Sequence, residues 1–321
     1  MRRKIDYRPA VTGSSHFLRA LALVGLALAL LGCQSAPRDG ADGERPGGRE
    51  LTDVGARIMA YAEQAKERDR YRPPRAAQRE SLARGVGHLL KGDAAEAERL
   101  LDDVGMRVNR LTDVASGRRY DEVAARDPRG REALWGRLYL NADARVRWNV
   151  QVPHPVADLD TAPLGARLLE ETPGGALVLA GTHRDSGKGD SADVAHRTDS
   201  AFHVMVTELQ KRDIPSVQLH GFARTSDRPY DAILSSGAAR TAPEGAAMLA
   251  DLMAARDLRV CRGWSDRCPL EGTTNVQGKA AKRHETAFLH VELAPAARGD
   301  GSKAAEARTA LSRVLSQWSD G

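Results

Sequence analysis

The sequence holds only three cysteines, carries no surplus of one charge outside its first 32 residues, and has an amino-terminal apolar run too short to span a bilayer. Each shortage excludes something. With Cys33 far from Cys261 and Cys268, and no two-residue gap between any pair, a four-thiolate zinc site is ruled out. The net charge of +5 comes almost wholly from the start of the chain, where Arg2, Arg3, Lys4, Arg8 and Arg19 face one acid, Asp6. The remainder has 43 basic against 42 acidic residues, which removes the basic surface that a nucleic-acid partner requires. No G-x-S-x-G occurs, and "LSSGAAR" lacks the strand-to-helix elbow that presents a serine nucleophile. Neither His-x-x-Glu nor His-Glu-x-x-His is present.

What is there begins with "ALALVGLALALLGC". The apolar run Ala20–Leu31 behind a basic start fits the hydrophobic region of a secretory signal over residues 1–32. Its end, Leu30-Leu31-Gly32-Cys33, resembles a bacterial lipobox. That resemblance implies lipidation at Cys33, attachment to a membrane through the lipid, and, because Gln34 rather than Asp follows, an outer-membrane lipoprotein. An ordinary signal peptide with an unmodified thiol is the alternative. In an exported chain Cys261 and Cys268, seven apart in "CRGWSDRC", are expected to form a short-loop disulfide, with a metal pair as the competing reading.

At 321 residues and 41% hydrophobic, the chain can bury a substantial core. Residues 33–50, rich in Gly, Pro and charge, read as a flexible tether. Residues 51–110 read as a helical region in three pieces, the last running through "DAAEAERLLDDVGMRVNRL" with Leu100, Leu101, Val104, Val108 and Leu111 three or four apart. Over 111–319, short β-type runs ("VRWNVQVP", "ALVLAG", "SVQLHGF", "YDAILSS", "LRVC", "AFLHVELA") alternate with helices at 200–212 and 243–256. The expected fold is therefore α/β, a mixed and largely parallel sheet flanked by helices and preceded by a small helical region. Ligands in such sheets sit beyond the carboxyl ends of the strands.

Seven of the nine histidines lie between His154 and His290, and His154, His183 and His220 each terminate a strand-like run. Imidazoles gathered at one sheet edge make a metal site available. In "FLHVELA", Leu289, Val291 and Leu293 share one face and His290 and Glu292 the other, so an acid is directed at the same polar edge.

The order of these motifs resembles the zinc carboxypeptidase-like hydrolases, most closely the poly-γ-glutamate hydrolase and amidohydrolase branch, over roughly residues 135–298. The matching positions are His154 with Asp158 in "PHPVADLDT", His220 in "QLHG" and Glu292 in "HVEL". The resemblance implies a phosphorylase/hydrolase-like layering, a Zn2+ ion on His154, Asp158 and His220, and Glu292 as the base for a water that attacks an amide carbonyl. Asp160 is the rival to Asp158, because the usual His-x-x-Glu is missing. Arg184 and Arg197 are candidates for holding an oxyanion or a substrate carboxylate, and His183, His196, His203 and Asn275 for contacting substrate. The implied substrate is a peptide, a peptidoglycan fragment or a γ-glutamyl polymer. A non-catalytic envelope lipoprotein using the same pocket for binding is the competing reading.

Overall fold

A computed structural model describes residues 48–239 and 241–320. The expected signal, Cys33 and the tether up to residue 47 lie outside the described residues. Among those described, no helix is long and apolar enough to cross a membrane.

The chain runs β1 (Glu50–Thr52), α1 (Val54–Ala65), α2 (Ala76–Leu89), α3 (Ala94–Asp102), β2 (Met106–Asp113), β3 (Arg119–Ala125), β4 (Arg137–Asn141), β5 (Trp148–Val152), α4 (Thr161–Glu171), β6 (Gly175–Leu179), α5 (Ala201–Gln210), β7 (Ser216–Gly221), β8 (Ala232–Ser235), α6 (Ala246–Ala254), β9 (Val260–Arg262), α7 (Val276–His284), β10 (Phe288–Leu293), α8 (Pro295–Arg298) and α9 (Ser302–Asp320). Among the described residues, ten strands join one sheet in the order β1-β2-β3-β4-β6-β5-β7-β10-β8-β9. The β6-β5-β7-β10 centre is parallel, and antiparallel pairs flank it. The fold is α/β with helices on both faces.

Period-two alternation explains the two faces. Trp148, Val150, Val152, Val217, Leu219, Leu289, Val291 and Leu293 belong to one apolar core with α1, α4, α6 and α9. Leu138, Leu140, Ala176 and Val178 point the other way, into a second core with residues of α2, α3 and α5. In β5, β7 and β10 that second face is polar: Asn149, Gln151, Gln218, His220, His290 and Glu292 alternate with the apolar set and are all buried.

Two expectations need correction. The third helical piece ends at Asp102, and Met106–Asp113 is a strand. Gly105, at φ +75, turns the chain between them, and the apolar spacing of Val104, Val108 and Leu111 continues across the turn although the period has changed. The tether does not extend to residue 50, because Arg49 donates to the carbonyls of Leu111 and Tyr120 and pairs with Asp121 while Glu50 opens β1. The three helices also share their cores with the sheet rather than forming one of their own.

Candidate metal centre

Each site residue is delivered by a strand end. Trp148–Val152 ends in Pro153-His154-Pro155, and the following turn closes when the Asp158 N–H donates to the His154 carbonyl at 2.9 Å. The Thr161 hydroxyl then donates to the Asp158 carbonyl at 2.6 Å, holding the turn against the first residue of α4. This four-residue closure returns the Asp158 side chain to the imidazole that precedes it. Asp160 sits at φ +66, exposed, and does not join the cluster. His220 is the penultimate residue of β7, and Glu292 pairs with it in register across to β10.

One carboxylate oxygen gathers both imidazoles. Asp158 Oδ2 lies 3.3 Å from His154 Nδ1 and 3.1 Å from His220 Nδ1, with the two rings edge-on at 5.1 Å between centroids. The outward nitrogens are also engaged: His154 Nε2 is 2.9 Å from Asp193 Oδ1, and His220 Nε2 is 2.8 Å from Gln218 Oε1. Asp193 is itself held by Arg184 at 2.5 Å and by His196 Nδ1 at 3.1 Å.

The electrostatics follow from burial and these contacts. Burial opposes charge on Asp158, yet the adjacent histidines, His154 foremost, hold its carboxyl well below the usual carboxylate range. Burial likewise works against a charged His154, but Asp158 and Asp193 outweigh it and raise its pKa, whereas burial lowers that of His220. Glu292 has no cationic partner in contact among the described residues, and burial pushes it up to about 8, with the Asp158 charge adding to the effect.

Of the other residues singled out in the sequence, His196 and Arg184 border the centre through Asp193. Arg184 is partly spent there, although its charge still reaches His154, His220 and Glu292. The rest need correction. Arg197 forms a two-pronged pair with Asp199 at 3.1 and 2.9 Å, a contact two residues along its own loop. His183 turns to Asp185 and stays partly exposed. His203 is buried in α5 against Thr207 and Gln277, where burial drops it to about 4. Asn275 is buried too: its side chain caps α7 by accepting from the Gln277 and Gly278 N–H groups, so it reads protein backbone instead of substrate.

Three further residues join the site, two of them without a role assigned from the sequence and the third, His290, placed there only on the polar edge beside Glu292. Asp193 opens "DVAHR" and has no motif of its own. Gln218 shares a face with His220 two residues on, a signal present in the alternation of "SVQLHG". His290 lies with its ring 4.7 Å from that of His220, and its buried Nδ1 has no hydrogen-bond partner among the described residues. His220, His290 and Glu292 form a second group of potential ligands beside the His154, Asp158 and His220 set.

No protein-family model matches the sequence, and no curated protein sequence does. Solved structures with partial likeness include an Agrobacterium tumefaciens gene product (16% identity, 54% of this chain and 88% of that one, TM-score 0.37). A succinylglutamate desuccinalase from Vibrio parahaemolyticus overlaps at 14% identity, 68% and 69% coverage and TM-score 0.38. A metallo-carboxypeptidase from Burkholderia cenocepacia overlaps at 11% identity, 77% and 70% coverage and TM-score 0.36. Overlaps this partial leave the reading of the site to its own geometry.

Proposed function

We propose that the chain is a metal-dependent hydrolase that cleaves an amide bond, with His154, Asp158 and His220 holding a divalent cation and Glu292 moving the proton. The observation that carries this reading is the convergence on Asp158 Oδ2. Both imidazoles give their outer nitrogen to an acceptor, Asp193 for His154 and Gln218 for His220, so each neutral ring turns an Nδ1 lone pair inward. Two lone pairs that each lie within 3.3 Å of one carboxylate oxygen repel it unless a cation lies among them. In metal-free protein a proton on His154 takes part of that role. Two imidazoles and one carboxylate suit zinc and leave a position free for a reactant.

When bound, the cation supplies Lewis acidity, polarising a carbonyl and making a water more acidic. Glu292, buried in the register position next to His220, accepts the proton from that water and passes it to the departing amine nitrogen. Beside a bound dication Glu292 would ionise below its metal-free position near 8 and so serve as a base at neutral pH. Arg184, fixed on Asp193, keeps positive charge beside the centre for a developing oxyanion or a substrate carboxylate.

The envelope placement belongs to the same proposal. It is supported by the lipobox-like Leu30–Cys33 and by the Cys261–Cys268 disulfide, which suits an oxidising compartment. Peptides, peptidoglycan fragments and γ-glutamyl polymers are then the amides within reach of an outer-membrane lipoprotein. The test is release of amine from such substrates by the zinc-loaded protein. Activity is expected to be abolished by a chelator and to fall roughly 100-fold or more in Glu292→Gln with metal retained. Full turnover in Glu292→Gln, or in the chelated protein, would contradict the reading.

A further inference from the structure

Between α5, α7 and the sheet runs a row of side-chain amides, of which only Gln218 touches the proposed centre, through His220. Asn149, Gln151, Gln218 and Gln277 are wholly inaccessible, and Asn275 nearly so. Burial on this scale is tolerable only if every amide N–H and C=O finds a partner, and that matching decides which way round each amide lies.

Three backbone anchors set the sense. The Asn149 side-chain nitrogen faces the carbonyls of Ile214 and Pro215 at 3.3 and 3.0 Å, and a carbonyl only accepts. Asn149 Oδ1 therefore receives Gln151 Nε2 at 2.9 Å, and Gln151 Oε1 receives Gln218 Nε2 at 2.9 Å. On the other side, Asn275 Oδ1 accepts two backbone N–H groups at 3.0 Å, which turns its nitrogen to Gln218 Oε1 at 2.5 Å. Lastly, Gln277 Nε2 donates to the Val194 carbonyl at 2.8 Å, leaving Gln277 Oε1 to Gln218 Nε2 at 3.3 Å. All three routes impose one orientation on Gln218. Its nitrogen serves Gln151 and Gln277; its oxygen serves Asn275 and His220. Because that oxygen cannot donate, the proton it receives from His220 must sit on Nε2.

We infer that Gln218 is a positioning residue: the anchored amide row locks His220 in the Nε2–H tautomer and so presents the Nδ1 lone pair to the cation site. Turning the Gln218 amide over to serve the other tautomer would place oxygen against the oxygens of Gln151 and Gln277 and N–H against N–H at Asn275, so that alternative loses contacts at three places at once. The purpose assigned to this lock rests on the proposed metal centre, but the tautomer itself does not require metal.

The experiment is a long-range 1H–15N correlation on metal-free, histidine-labelled wild type at pH 8, with His220 assigned by its loss in His220→Gln. The expected spectrum shows His220 as a single neutral tautomer with protonated Nε2 and a pyridine-like Nδ1. Gln218→Met keeps the volume and removes the acceptor, so its His220 is expected to show mixed tautomers and its zinc Kd, read by competition with a chromophoric chelator, to weaken about 10- to 100-fold. A wild-type His220 protonated on Nδ1, or a folded Gln218→Met with unchanged tautomer and unchanged zinc Kd, overturns the inference. Should Gln218→Met fail to fold, the wild-type spectrum decides alone. A wild type that takes up no zinc while His220 is still locked with Nε2–H removes the metal reading and leaves the amide lock standing, so the two failures are distinguishable.

Discussion

At the scale of single residues, Asp158 and Asp160 show how two identical side chains two positions apart take different parts. Asp158 is buried and shared between two imidazoles, while Asp160 is exposed in a left-handed turn. Asp158→Asn is therefore expected to lose more zinc affinity than the roughly 10- to 100-fold typical of an outer-sphere partner, and Asp160→Asn to stay near wild type, as read by isothermal titration. Glu292 makes a prediction in pH. Its folded pKa near 8 lies above the ordinary glutamate value, so the metal-free folded state is increasingly penalised as pH climbs from about 4.5 toward 8. Glu292→Gln removes that penalty. Metal-free Glu292→Gln is expected to melt higher than wild type at pH 8 and to match it at pH 4, and a gain confined to pH 4 would contradict the burial argument. In the sequence His154 and His220 are marked by strand ends, Glu292 by period-two alternation, and Asp158 only by the family resemblance. Asp193 and Gln218 were not legible as site residues, since their importance lies in what the fold brings against them. Nor does the sequence show what engages Arg197 and Asn275, namely Asp199 and the first turn of α7.

At the scale of elements, the strands that carry the site were readable and those before them were not. "VRWNVQVP", "SVQLHGF" and "AFLHVELA" are dense in β-branched and aromatic residues, and their unbroken apolar faces identify central strands. Met106–Asp113 is half-exposed, rich in Arg and Asn, and follows a true helix without losing the helical spacing of its apolar residues, so nothing local announces the change. The loop before α7 supplies the element-scale prediction. Gly272 adopts φ +62, and a Cβ there would lie 2.6 Å from the His290 ring. Gly272→Ala is expected to reduce stability by about 1–3 kcal/mol in denaturant unfolding, combining left-handed strain with pressure on a ring that touches His220. An unchanged unfolding midpoint would show that the loop can shift off His290.

At the scale of the whole molecule, the sheet carries two kinds of burial on its two faces. One face is apolar along the central strands; the other carries amides and titratable groups under α5 and α7, and the candidate metal centre is the polar end of that second face. The Cys261–Cys268 disulfide closes a short loop at the far edge, after β9, in a small cluster with Phe222, Ile233 and Ala294. Replacing both cysteines by serine is expected to lower stability by about 2–3 kcal/mol, from the loop-entropy estimate for so short a ring, and to leave zinc Kd unchanged. A large change in Kd would mean that the β8–β9 edge sets the position of β10.

The most direct test of the central claim is zinc stoichiometry at equilibrium for the purified wild type and for His220→Ala. The geometry predicts close to one zinc per wild-type chain and a large loss in His220→Ala under the same free zinc. A wild type that holds no zinc, or equal zinc in both proteins, would contradict a metal centre built on His154, Asp158 and His220.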